Sequence, residues 1–286
     1  MSIQRLPNNP IITPFMDRRM GRNVNGPSLI RVPDWVPNPL GRYYLYFAHH
    51  RGAYIRLAYA DDLAGPWKTH EPGVLSVEQS YFTEHVASPD VHIDDETRLI
   101  RMYFHGLVSP PGNQGTRVAF SFDGLSFIVS PPLLGGPYFR VFQWGGDYYA
   151  WAMGGHFWRS PDGLEPFEKG PNRGFPPKAR HGAMLLEDDK LVVLFSSIGD
   201  TPERILASEV LLDRPWKEWR ASEPKEVLRP ETDYEGGNLK LEASERGEIN
   251  EPVRQLRDPG VFREGSDVYL LYSVAGENGI AIARIE

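Results

Sequence analysis

A three-strand pattern recurs five times along this chain. Each copy opens with a short apolar strand headed by a polar or charged residue, continues with an aromatic-rich strand that ends in a polar loop, and closes with a third apolar strand. The five opening strands occupy residues 25–30, 88–93, 138–142, 180–185 and 257–262. Repetition with a period of tens of residues is typical of solenoids and propellers, in which each copy packs only against its neighbours.

The remaining elements of each copy agree with a ring of β-sheets. The second strands fall at residues 43–47, 100–104, 147–151, 191–195 and 268–272. A similar turn follows the third strand in three copies, as Asp61-Asp62-Leu63, Asp123-Gly124-Leu125 and Asp162-Gly163-Leu164, and more loosely in the fourth blade at residues 208–214. No long segment keeps helical periodicity. The sequence therefore predicts an all-β fold, a five-bladed β-propeller that forms a single domain over residues 1–286.

Two segments lie outside the five copies. The short stretch 10–14 is flanked by prolines, and we expect it to be an N-terminal strand that closes the ring by pairing with the last blade. The polar stretch 232–254 is unusually long for a connection within a compact domain, and such loops are usually functional or mobile.

Composition limits the possible partners and the compartment. The net charge of -7 argues against nucleic acid, whose phosphates require clustered basic side chains. The chain has no cysteine, which excludes thiolate chemistry and suits a cytoplasmic protein. The apolar runs are too short for a membrane span, and the first residues have no signal-peptide pattern.

The amino-acid sequences of the copies resemble those of the five-bladed propeller glycosidases, above all glycoside hydrolase family 43. The resemblance rests on Arg257-Asp258-Pro259-Gly260-Val261-Phe262 with the strand 268–272, on Ser88-Pro89-Asp90-Val91-His92 and on Asn9-Pro10-Ile11-Ile12. It implies a hydrolase of carbohydrate metabolism with a carbohydrate substrate. One departure concerns the catalytic base, because the first blade has Gly26-Pro27 where the family has Asp-Pro.

In a propeller, the starts of the inner strands and the loops after the second strands lie on one face, so polar residues there can form one site. Asp90 and Asp258 are the candidate bases or orienting groups, each beside a proline at the start of an inner strand. Glu203 and Glu235 are the candidate acids, with Glu84 as a third option. Two carboxyl groups are what glycoside hydrolysis requires, one protonated and one ionised.

The same rule selects a set of substrate-binding candidates. They are Asn25, His49, His50, His85, His105, Arg140, Arg180, His181, Arg257 and Glu277. The arginines suit an acidic group on the substrate, or they hold the catalytic carboxylates ionised. The histidines have no metal-ligand spacing such as H-x-x-H, so we predict no catalytic metal and no required cofactor, although a structural cation could occupy the central channel.

These observations lead to a functional prediction that leaves the reaction type open. We expect a glycoside hydrolase that acts on the end of an oligosaccharide with inversion, since carboxylates on different blades are expected to stand far apart. A phosphate-dependent phosphorylase would not need the missing base of blade one. The same residues are also compatible with a non-catalytic carbohydrate-binding propeller, or with a lyase in which His181 is the base and a tyrosine is the acid.

Overall fold

The computed structural model describes all 286 residues and shows five antiparallel sheets arranged as the blades of a propeller. Blade one comprises β2 (Asn25–Arg31), β3 (Tyr43–Ala48), β4 (Tyr54–Ala60), β5 (Lys68–Thr69) and β6 (Leu75–Ser76). Blade two comprises β7 (Val86–Asp94), β8 (Leu99–Ser109), β9 (Asn113–Ser121) and β10 (Ile128–Val129). Blade three comprises β11 (Arg140–Trp144), β12 (Asp147–Ala152), β13 (His156–Ser160) and β14 (Glu168–Asn172).

Blades four and five complete the ring. Blade four comprises β15 (Ala179–Glu187), β16 (Lys190–Ser197), β17 (Ile205–Leu211) and β18 (Lys225–Leu228). Blade five comprises β19 (Arg257–Glu264), β20 (Asp267–Ser273), β21 (Ile280–Ile285) and β1 (Ile3–Arg5). The helices are three-residue 3-10 turns at Val77–Gln79, Trp216–Glu218 and Asp233–Glu235, and no helix is long and apolar enough to cross a bilayer. The prediction of an all-β five-bladed propeller is confirmed.

The N-terminal strand closes blade five, as predicted, but a different segment does so. β1 pairs antiparallel with β21, with Ile3 opposite Ile285. The predicted segment 10–14 makes only an isolated bridge between Ile12 and Ile280. Its prolines explain the difference, because a proline has no N–H to donate to a ladder.

The hydrophobic core is divided among the five interfaces between neighbouring blades. Each of the five clusters of buried apolar side chains draws its members from two adjacent blades, and the cluster of blades five and one closes the ring. The repeated turns add polar links between blades: Tyr46 donates its hydroxyl to the Gly124 carbonyl at 2.9 Å, and Tyr103 does the same to Gly163 at 3.1 Å. The sequence repeat thus corresponds to a repeated packing unit.

Every inner strand is preceded or interrupted by one residue in the left-handed backbone region. The five residues are Gly26, Ser88, Tyr138, His181 and Asp258, with φ between 46° and 64°. In four of the blades the ladder register also shifts at this point, as in a β-bulge. Such bulges turn a side chain away from the ordinary strand alternation, which is frequent beside active sites. We call the end of the propeller axis where these residues lie the mouth.

Candidate active site

A pocket of about 250 Å³ opens at the mouth, and four blades contribute to it. Its walls are formed by inner-strand starts and by the loops between second and third strands, as the sequence rule predicted. We call it the mouth pocket; its lining is His50, Gly112, Asn113, Gln114, Pro137, Tyr138, Met153, Arg180, His181, Arg246 and Gly247. No carboxylate is among these residues, although three acidic side chains are buried behind them.

Two arginines neutralise two of the buried carboxylates. Arg180 holds Glu203 at two points, from Nε to Oε1 at 2.9 Å and from Nη2 to Oε2 at 2.6 Å. Arg257 lies between the two glutamates, with its Nε 3.2 Å from Glu203 Oε2 and its Nη1 3.1 Å from Glu277 Oε1. Asn23 adds a bond of 2.6 Å to Glu277 Oε2. The network satisfies its own charges, as buried ions require.

Asp258 is the third buried acid, and it has no arginine bound to it. Burial and the neighbouring charge of Glu277 raise the pKa of Asp258 to about 7, even though Arg180 and Arg257 act in the opposite direction. The arginines fail to offset the effect because each is already paired with a glutamate. Asp258 Oδ2 is 3.4 Å from the Ser273 hydroxyl. Asp258 is therefore a carboxyl group that keeps its proton up to near-neutral pH.

His181 stands between Asp258 and the mouth pocket. Its Nδ1 lies 3.1 Å from Asp258 Oδ1, although the angle is not that of a hydrogen bond. Burial and the charges of Arg180 and Arg257 hold the pKa of His181 well below its usual range, so the ring is neutral. Tyr138 packs against it with ring centroids 5.1 Å apart, and burial raises the pKa of Tyr138. A neutral imidazole and a protonated phenol thus line the pocket side by side.

The row of rings continues into blade two. His105 stacks on Tyr138 at 4.0 Å between centroids, and His85 meets His105 at 6.0 Å. Burial and the neighbouring His85 hold the pKa of His105 well below its usual range, and its Nδ1 has no hydrogen-bond partner. These predicted binding residues therefore form one side of the mouth as an uncharged aromatic wall.

The segment 244–249, which we call the strap, crosses the mouth within the predicted loop 232–254. Ser244 exchanges backbone hydrogen bonds with Gly199 and Asp200, both at 3.0 Å. Arg180 Nη2 donates to the Glu245 carbonyl at 3.3 Å, and Arg257 Nη1 donates to the Gly247 carbonyl at 3.2 Å. The buried arginines thus hold both the carboxylates and the strap, and the strap places Arg246 in the pocket wall.

Asp90 and Arg140 lie apart from the mouth pocket, contrary to their expected place beside Arg180 and Asp258. Both line a separate cavity of about 320 Å³ in the central channel. Asp90 Oδ2 accepts hydrogen bonds from the Val141 amide at 2.7 Å and from His92 at 2.8 Å. Arg140 donates to the carbonyls of Ser88, Pro89 and Gly182. Each lies two residues after the left-handed residue of its own inner strand, and each connects neighbouring blades through these hydrogen bonds.

Glu235 is the third predicted residue that the structure separates from the mouth pocket. Its fully buried carboxylate is bound by Arg5 at 2.8 and 3.0 Å and by the Tyr272 hydroxyl at 2.9 Å. Glu235 also accepts hydrogen bonds from the amides of Glu231 and Thr232, and so caps the N-terminus of its 3-10 turn in a capping box. The expectation that it swings over the site was wrong, because these bonds fix it against blade five.

The remaining predicted residues lie at the mouth in supporting positions. Asn25 is buried and donates to Asn23, which in turn bonds Glu277. His50 Nδ1 is 3.3 Å from Glu277 Oε1. His49 lies on the outer rim, 3.6 Å from Glu248, and Glu84 is exposed.

Sequence reasoning missed Asn23 and Arg246. Asn23 precedes the first blade, and Arg246 lies in the polar connection where no strand pattern assigns a position. No cluster of three or more His, Cys, Asp or Glu side chains in the chain could hold a metal ion. The cation expected in the channel stays a prediction.

The protein shares its five-bladed propeller fold with solved structures of the glycoside hydrolase family 43 and family 130 type. The β-1,2-mannobiose phosphorylase of Listeria innocua, solved with β-1,2-mannobiose, superposes with a TM-score of 0.69 at 14% identity, over 100% of this chain and 97% of that one. The α-L-arabinanase of Cellvibrio cellulosa, solved with arabinohexaose, gives 0.62 at 12% identity, over 92% of each chain.

A closer relative appears in sequence. "Uncharacterized protein R118" of Acanthamoeba polyphaga mimivirus is 36% identical over 99% of this chain and 90% of its own length. The chain belongs to the same protein family as that viral protein. No family model matches the sequence.

Proposed function

We propose that this protein is a carbohydrate-active enzyme that cleaves a glycosidic bond of an oligosaccharide. The observation that carries the proposal is the position of Asp258, a buried carboxyl group 3.1 Å from His181 at the wall of the mouth pocket; burial and the charge of Glu277 raise its pKa to about 7. Cleavage of a glycosidic bond needs a group that gives a proton to the leaving oxygen, and a carboxyl with a pKa near 7 suits that task at neutral pH. The solved neighbours with the same fold act on, or bind, oligosaccharides.

The proposal assigns the proton donor to Asp258 together with His181. Both side chains are almost fully buried, but only His181 lines the pocket. Asp258 gives its proton to Nδ1 of His181 as Nε2 of the same ring gives its own proton to the departing sugar oxygen, so the imidazole stays neutral. Asp258 is left as a carboxylate and regains a proton from the attacking water or from solvent. Tyr138, which stays protonated, positions the sugar by a hydrogen bond.

The shape of the pocket supports the proposal that the enzyme acts on a chain end. The hairpin tip at residues 112–114 and the strap close two of its sides. A volume of about 250 Å³ is small compared with the roughly 300–1,000 Å³ of ordinary ligand sites. It accommodates a single terminal sugar better than the interior of a polysaccharide.

Phosphate is the second candidate for the nucleophile, beside water. An inverting hydrolase needs an ionised carboxylate base at the pocket. The pocket lining contains none, Gly26 takes the place of the family's base, and both Glu203 and Glu277 are bound by arginine. A phosphate ion brings its own negative oxygen and needs no base, which favours a phosphorylase.

The test compares the wild-type protein with Asp258→Asn. Each is incubated with β-1,2-mannobiose or arabino-oligosaccharides, with and without inorganic phosphate, and the products are separated chromatographically. We expect turnover by the wild type and a loss of about a hundredfold or more in the variant, the lower end of what a general acid contributes. The exposed Glu251→Gln variant is the control and should keep full activity.

The products decide between the candidates. A sugar phosphate formed only with phosphate identifies a phosphorylase, and a free sugar formed without it identifies a hydrolase. An unsaturated product would indicate a lyase. Binding of oligosaccharide without any turnover would refute the enzymatic proposal in favour of a binding propeller.

A further inference from the structure

We propose that Arg246 is a specificity-determining residue that binds an anionic group, carboxylate or phosphate, in the mouth pocket. This inference rests on the proposed function and adds the chemical class of its ligand. The anion is either free inorganic phosphate or an acidic substituent on the sugar, since a guanidinium binds both through paired N–H donors.

Arg246 differs from Arg180 and Arg257 at the mouth in having no protein partner. Those two arginines are buried, and each is paired with a glutamate and donates to a carbonyl of the strap. Arg246 is exposed, lines the pocket, and forms neither an ion pair nor a hydrogen bond with any other side chain. It is therefore the cation of this pocket that remains available to a ligand.

The backbone on both sides of Arg246 is fixed. The carbonyls of Glu245 and Gly247, its two chain neighbours, accept hydrogen bonds from Arg180 and Arg257. Two residues further on, the Ile249 carbonyl accepts from Asn23 at 3.0 Å. An exposed arginine on an ordinary loop has no such anchoring. Here the buried network that neutralises the carboxylates also fixes the backbone from which the Arg246 side chain extends.

The rest of the pocket lining also favours an anion over a cation. Beside Arg246 the lining has the positive charge of Arg180 and the Tyr138 hydroxyl as a donor, and it has no carboxylate. Of the three acids buried behind the lining, Glu203 and Glu277 are paired with arginines, and burial raises the pKa of Asp258. A negative ligand group therefore meets two arginines and no carboxylate in the lining, although the protein as a whole carries a net charge of -7.

The experiment measures binding in the absence of turnover by isothermal titration calorimetry. The probes are inorganic phosphate, glucuronate as an acidic sugar and glucose as its neutral counterpart. The proteins are the wild type, Arg246→Met and Arg246→Lys. Arg51→Met is the matched control, because Arg51 is an exposed arginine on the rim of the mouth that does not line the pocket.

We expect wild-type protein to bind phosphate or glucuronate at least tenfold more tightly than glucose. Arg246→Met should weaken this binding at least tenfold, Arg246→Lys should restore part of it, and Arg51→Met should leave it unchanged. Binding of phosphate alone identifies a free phosphate site. Binding of glucuronate alone identifies an acidic sugar.

Equal affinity for glucuronate and glucose with no phosphate binding, or an Arg246→Met variant that binds anions as well as wild type, would overturn the inference. Its failure is separable from failure of the proposed function. Turnover that survives without any anion binding refutes only the role of Arg246. Anion binding that survives in a protein without turnover refutes only the enzymatic activity.

Discussion

Arg180 and Glu203 form a two-point ion pair that is almost entirely buried at the mouth, and Arg257 contacts the same carboxylate from the other side. Removing the charge of Glu203 leaves two buried cations with a single remaining glutamate. Breaking a buried pair from one side typically costs about 3–5 kcal/mol, because the other charge stays desolvated. Glu203 therefore has the features of a structural counter-ion.

We predict that Glu203→Gln lowers the free energy of unfolding by about 3–5 kcal/mol. Denaturant titration followed by tryptophan fluorescence measures the change. Glu251→Gln is the matched control, because it removes a glutamate from the exposed pair with Arg22 and should have no measurable effect. If Glu203→Gln were as stable as the control, the buried network would not have the structural role assigned to it.

The raised pKa of Asp258 makes stability depend on pH in a definite direction. The folded protein holds this proton up to about pH 7, whereas the unfolded chain releases it near 3.8. Between these values the native state binds more protons, so the contribution of Asp258 to stability is present below about pH 4 and is lost as the pH rises to about 7. Asp258→Asn should remove this decline, so that the variant gains stability relative to wild type between about pH 4 and pH 8 in thermal unfolding.

The same proton governs activity if Asp258 is the donor. We predict that kcat/KM falls as the pH rises above about 7, because the free enzyme then loses the proton that the leaving group needs. A pH series with the substrate identified in the product screen measures the profile. Activity that increased steadily from about pH 6 to pH 9 would contradict the assignment of the acid.

His105 and His181 should remain neutral throughout the physiological range. Burial holds the pKa of both rings well below the usual value of 6.5. Proton–nitrogen NMR of the imidazoles between about pH 5.5 and pH 8 should show no titration for the two buried rings. The sign of the linkage is opposite to that of Asp258, so these histidines destabilise the protein as the pH falls below about 6.5.

The closing strand depends on an ion pair remote from the mouth. Arg5 on β1 binds the buried Glu235 at two points. Arg5→Met should leave that carboxylate unpaired and lower the free energy of unfolding by about 1–3 kcal/mol. Arg22→Met removes an exposed arginine and serves as control. Because Glu235 lies outside the mouth, Arg5→Met should change stability without changing the kcat of the folded fraction.

The positions of the mouth residues were predictable because they follow from the repeat. Once five strand copies are identified, symmetry places the start of each inner strand at the axis, so Arg180, His181, Arg257 and Asp258 could be grouped before any coordinates were known. The left-handed position also relates the missing carboxylate of blade one to Asp258. Gly26 and Asp258 occupy equivalent left-handed positions in blades one and five, so a carboxylate absent from one blade is present in the other.

The repeat pattern does not predict which way a side chain points or which residue it binds. Asp90 and Arg140 lie two residues beyond the bulge, and this small offset along the strand puts them in the channel instead of the mouth pocket. Glu235 occurs in a polar stretch that resembles a loop over the site, but its position is decided by Arg5, which is 230 residues away in sequence. The backbone at Arg246 is held in place because Arg180 and Arg257 donate hydrogen bonds to the carbonyls on either side of it.

Five copies of a short apolar and aromatic strand pattern were sufficient to determine a five-bladed ring, because each copy can bury its faces only against neighbours of the same kind. Which acid carries a proton, which arginine is left free and which glutamate is a counter-ion were decided by the tertiary structure. These properties depend on distances of a few ångströms between charges on different blades and on their removal from water, and neither quantity is a property of local sequence.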